Sequence, residues 1–99
     1  MKSNVRNYLR SMAHKLQPIV MVGKEGLSEN VVKALDEALA CHELVKVKFQ
    51  ANKEDAREIS ENLAKKTKSE VVAIIGFTAV FYRKSENELI EIPKSLTRN

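Results

Sequence analysis

The chain has 99 residues, 43% of them apolar and 30% charged, with two prolines and three glycines. That length and composition predict one ordered domain with one core and exclude a disordered tail. Its single cysteine, Cys41, excludes an intramolecular disulfide, and no apolar run approaches the ~20 residues that a membrane-spanning helix needs. The charged, amphipathic N-terminus lacks the apolar stretch of a secretory signal, so a soluble cytoplasmic protein is the expectation.

The formal charge of +4 is unevenly placed. Residues 1–26 carry Lys2, Arg6, Arg10, Lys15 and Lys24 against one acid, Glu25, and hold the entire excess. The other 73 residues balance twelve basic against twelve acidic side chains. A locally basic segment on a neutral body points to an anionic partner, and a solubilising basic helix explains it equally well.

In chain order, Val5, Tyr8, Leu9, Met12 and Leu16 space one apolar stripe, predicting a helix from about Ser3 to Leu16. Arg6, Arg10 and His14 fall on a different face. Pro18 stops this helix, and Ile19 to Val22 read as a short buried strand. Ser28 is a good N-cap for a helix over Glu29–Cys41, with Val31, Leu35, Ala38 and Leu39 inward. From Glu43 to Phe49 the chain alternates, Val45, Val47 and Phe49 opposing Leu44, Lys46 and Lys48, as a one-sided strand does. Asn52 is expected to cap a third helix from Lys53 to Thr67. Its acids lead and its lysines Lys65, Lys66 and Lys68 trail, which suits the helix dipole.

The uninterrupted run Val71 to Ile75 predicts a central strand covered on both faces. Gly76 breaks it, and Thr78 to Arg83 form another strand. After a turn at Ser85-Glu86-Asn87, Leu89, Ile90 and Ile92 suggest an edge strand ended by Pro93. The order is α-β-α-β-α-β-β, an α/β sheet with helices packed against it and one patch open. The domain's core spans about 3–84, with 85–99 as a peripheral edge strand or tail.

Catalytic signals are few. His14 and His42 lie on different elements without acids at ligand spacing, so neither a metal site nor a cofactor is expected. Cys41 ends a helix, where a thiolate is least stabilised, and no acid/base pair is evident. The stretch Val22-Gly23-Lys24-Glu25-Gly26-Leu27-Ser28 differs in kind. It follows a strand and precedes a capped helix, with glycines that admit positive φ and close approach, and Lys24 adds charge. The combination suits a phosphate, although it is neither a Walker nor a dinucleotide-binding loop, and an ordinary tight turn explains the same residues. Lys46 and Lys48 on one strand face, with Arg83 and Lys84 closing a later strand, extend a track for a phosphate backbone. Phe77, directly after Gly76, is the best candidate for an exposed stacking surface.

The segments LRSMAHKLQPIVMVGKEGLSENVVKALDEALACHELVKVKF and EVVAIIGFTAVFYR together resemble the CRM domain, a YhbY-like RNA-binding fold. The resemblance covers about residues 7–84. It implies a four-stranded mixed sheet like the C-terminal domain of a bacterial translation initiation factor. It also implies a non-enzymatic, monomeric protein that associates with ribosomal RNA in precursor large ribosomal subunits. Gly23, Lys24, Glu25 and Gly26 would then form the RNA-contacting loop, with Arg6, Arg10, Lys15, Lys46, Lys48, Arg83 and Lys84 supplying charge. Phe77 stands where relatives often carry a basic or polar residue, and Ser28 replaces a more usual threonine. Two other readings stay open: an adaptor docking a ribosomal protein through Leu44 and an open sheet face, and a small enzyme acting on a phosphorylated substrate.

Overall fold

A computed structural model describes residues 1–97. Helix α1 spans Ser3–Ala13 and strand β1 spans Val20–Val22. Helix α2 covers Glu29–His42, and β2 covers Leu44–Phe49. A short 3-10 turn, Lys53–Asp55, leads into α3 at Ala56–Thr67. The chain then forms β3, Glu70–Ile75, β4, Thr78–Tyr82, and a last short helix α4, Lys94–Thr97. The sheet order is β1-β2-β4-β3, with β1 parallel to β2 and the other two pairings antiparallel. This is the expected mixed four-stranded sheet.

Alternation along β2 divides the core in two. Val45, Val47 and Phe49 join Val20, Val22, Ala79 and Phe81 beneath Leu35 and Leu39 of α2 and Ile59 and Leu63 of α3. Leu44 points to the other face, where Val72 and Val80 pack under Val5, Leu9 and Ala13 of α1. Helices therefore cover both faces of a single sheet, each through an apolar stripe at helical spacing.

Five expectations need correction. The strand expected to be buried over Ile19 to Val22 covers Val20–Val22 and is one-sided, because Met21 points to the uncovered sheet face and Ile19 lies outside the strand, both exposed. The first helix ends at Ala13, three residues early, because the backbone tightens there: Leu16 N–H donates to Ala13 O at 3.0 Å. Strand β3 lies at the sheet edge instead of the centre. A register shift between Val71 and Ala73 leaves Val72 as an extra residue, so Val72 and Ala73 face α1 together, and a bulged edge strand reads as an unbroken apolar run. Asn52 does not cap α3; it takes a left-handed conformation (φ 57°) with its side chain turned elsewhere. Finally, Leu89 to Ile92 form no strand. Ile90 and Ile92 pack against the α1 side of the core, and Ile90 N–H donates to the Glu43 carboxylate at 2.8 Å, where a ladder partner would be.

Candidate nucleic-acid interface

The GKEG loop leaves β1 beside the point where β2 ends, since Val22 pairs with Phe49. Gln50 N–H donates to Val22 O at 2.9 Å, and Phe49 N–H donates to Phe77 O at 2.7 Å. Three loops thus meet at one end of the sheet: residues 23–28, residues 50–55, and the β3–β4 turn at Gly76-Phe77.

Within the first loop, Gly26 N–H donates to Gly23 O at 3.0 Å, closing a β-turn over Lys24 and Glu25. Asn52 Nδ2 donates to Gly23 O at 2.9 Å and to Lys24 O at 3.0 Å, so both carbonyls are drawn towards the protein. Among the described residues the N–H groups of Lys24 and Glu25 have no partner. Ser28 caps α2 as expected, its Oγ accepting from Val31 N–H at 3.2 Å.

The two glycines are not equivalent. Gly26 has φ +64°, and a Cβ there would stand 3.4 Å from Asn52 Nδ2 and 3.6 Å from Ile59 Cδ1. Gly23 has no positive φ, contrary to the expectation for both, and a Cβ on it would meet open space. The fold requires the second glycine and not the first.

Strand register lays out the adjoining surface. On the face crossed by α1, Met21, Lys48, Thr78 and Ile75 align in one row across all four strands. The next row, Lys46, Val80 and Ala73, runs under the helix and buries Val80. Helix α1 therefore stops short of the loop end and leaves the first row open. Met21 is 44% exposed, Ile75 43%, and Phe77, just beyond the row, 54%. Lys53 Nζ stands 4.1 Å from the centroid of the Phe77 ring.

Of the sequence-predicted residues, Gly23, Lys24, Glu25, Gly26 and Lys48 come together at this end, and Lys46 lies one row further in. Arg10 and Lys15 are exposed. Arg10 lies one helical turn from Arg6, on the flank of α1 opposite Tyr8, whose Oη donates to Glu91 O.

Arg6 and Arg83 are committed within the fold. Arg6 Nη1 donates to Val71 O at 2.6 Å and Val72 O at 3.1 Å, closing the carbonyls that the bulge frees. Arg83 lies at the opposite end of the sheet, its Nη1 2.6 Å from Asp36 Oδ1 and 2.7 Å from Thr67 O. Lys84 beside it pairs with Glu88 at 3.4 Å. Leu44, offered as a docking residue for an adaptor, is buried under α1 at 4% exposure.

Sequence reasoning missed Asn52 as the latch of the loop, and Asn's tolerance of left-handed backbone was its one available signal. It also missed Glu43. This fully buried residue takes φ +64° between α2 and β2 and receives the N–H groups of Ser85 (2.8 Å) and Ile90 and the Ser85 hydroxyl. Burial opposes its ionisation, but these donors outweigh burial and hold the carboxyl near 2 against the usual 4.5.

The chain is thus a small α/β domain with a latched glycine loop beside an uncovered row of sheet, and among the described residues no group of three or more His, Cys, Asp or Glu is placed to hold a metal. The CRS1 / YhbY (CRM) domain model matches residues 1–83, and the chain belongs to that family. It is 44% identical over 90 residues to "Probable RNA-binding protein YqeI" of Bacillus subtilis, covering 89% of this chain and 94% of the relative. An "RNA-binding protein" of Haemophilus influenzae is 39% identical over 90 residues, covering 90% of this chain and 91% of its own. The solution structure of the hypothetical protein SAV1595 from Staphylococcus aureus superposes with TM-score 0.79 at 44% identity, covering 94% of this chain and all of that one.

Proposed function

We propose that this protein binds RNA, holding the phosphate backbone at the GKEG loop. The observation that carries the reading is the latched turn itself. Asn52 draws the loop carbonyls inward, so the Lys24 and Glu25 N–H groups and the Lys24 ammonium are left for an anion. Gly23, whose missing side chain the fold does not use, keeps that approach clear. Glu25, Glu54 and Asp55 are exposed nearby, so net attraction depends on Lys46, Lys48, Lys53 and the Arg10 flank. The names of the relatives agree with an RNA partner.

Within that reading the RNA is ribosomal, in precursor large subunits, and the protein assists their assembly by binding alone. Titrating a labelled rRNA fragment across a salt series tests it. Affinity should fall with salt at a log–log slope near −0.7 for each phosphate contact to single-stranded segments. Lys24→Ala should weaken binding without moving the melting temperature. Weak, salt-independent binding by the wild-type protein would sink the proposal.

A further inference from the structure

We propose that Phe77 is a stacking platform for an unpaired nucleobase, so that the RNA reaching this site is single-stranded or carries a looped-out base. The inference rests on the RNA-binding reading and adds the kind of RNA.

An exposed phenylalanine by itself is ordinary, but Phe77 has company. Ile75, two residues before it, and Met21, across the sheet, are exposed on the same uncovered row, with Lys48 and Thr78 between them. The turn itself does not need the ring: it is made by Gly76 at φ +59°, and Phe77 is anchored through its carbonyl, which accepts from Phe49 N–H. An anchored backbone fixes where the ring is attached, at the end of the open row. Lys53 holds its ammonium over the ring, 4.1 Å from its centroid, and the residue is still 54% exposed. Aromatic faces take up any base by stacking, and lysines beside them meet the flanking phosphates. The open row carries lysine and no carboxylate, which favours an anionic ligand, and the aromatic face beside it is what a nucleic-acid strand uses and an acidic protein surface does not need.

The experiment compares wild type, Phe77→Ala, Phe77→Trp and Phe77→Leu against a short mixed-sequence RNA strand and its perfect duplex. A 2-aminopurine base in the strand reports stacking by its quenching. Phe77→Ala should weaken single-strand binding roughly 5- to 150-fold, abolish quenching and leave duplex binding unchanged. Phe77→Trp should restore both signals and Phe77→Leu neither. Melting temperatures of all three should stay close to wild type, because the side chain is over half exposed and its contact with Lys53, at such an exposed site, is weak.

Equal single-strand affinity of Phe77→Ala and wild type, in a protein that still binds RNA salt-dependently, overturns the stacking role alone. Preference of the wild type for the duplex does the same. Rescue by leucine as complete as by tryptophan also overturns it, since a non-aromatic apolar contact would then serve the base as well as stacking. If wild type binds neither strand nor duplex, the RNA-binding reading falls with it.

Discussion

Gly23 and Gly26 stand three residues apart and answer to different demands. Gly26 has positive φ, and a Cβ on it would only touch Asn52 and Ile59 at contact distance, so Gly26→Ala should cost about 1 kcal/mol or more through backbone strain alone. Gly23 has neither constraint, so Gly23→Ala should melt like the wild type while its RNA affinity falls. Thermal unfolding and an RNA titration on the two variants separate them. If Gly23→Ala binds as well as wild type, the loop is a turn and nothing more. Sequence alone could not make this distinction, since both residues fit a G-x-x-G pattern equally. What separates them is a side chain about thirty residues away, Asn52.

At the scale of elements the four-residue α4 carried no pattern to read, but apolar patterning marked α1, α2, α3 and the four strands because each buries one stripe or one face. It failed where a partner remote in sequence decides the backbone. The edge position of β3 is hidden because its bulge places Val72 and Ala73 on the same face, and two adjacent inward residues mimic full burial. The absent strand at Leu89 to Ile92 has a similar cause, since Glu43 takes the Ile90 N–H from more than forty positions away.

The bulge also decides what Arg6 does. Charge placement made Arg6 and Arg10 equal candidates for RNA contact, yet only Arg6 is tied to the carbonyls of Val71 and Val72. Arg6→Ala should therefore destabilise the protein by about 1–3 kcal/mol, by leaving partly buried carbonyls without their charged donor. Arg10→Ala should leave stability unchanged and weaken RNA binding. Chemical denaturation beside RNA titration checks both, and equal stability of the two variants would contradict the assignment.

Across the whole molecule, Glu43 joins segments that the sequence reading kept apart. The region after residue 84 was expected to be peripheral. Ile90, Ile92 and Leu96 instead pack against the α1 side of the core, and the Glu43 carboxylate fastens Ser85 and Ile90 to the α2–β2 junction. The folded carboxyl takes up its proton only near pH 2, while an unfolded one does so near 4.5. On acidification the unfolded chain therefore binds the proton first. The contribution of Glu43 should be complete above about pH 4.5 and fade as pH falls towards 2. Glu43→Gln, which presents an amide to two N–H donors and a hydroxyl, should lower stability at neutral pH by about 2–3 kcal/mol and flatten this acid limb. Melting curves between pH 2 and 7 would show both effects, and parallel curves for the two proteins would refute the assignment.

The bulge in β3 also bears on how the protein behaves when concentrated. A sheet with two free edges and an uncovered row is open to pairing with another chain through its unpaired backbone groups. Here β3 is kinked by its extra residue, and Arg6 occupies carbonyls that an incoming strand would need. The other edge, β1, offers only three residues, shortly after Pro18. Neither border makes a good template, so the exposed row can remain available to a ligand without inviting strand-by-strand aggregation.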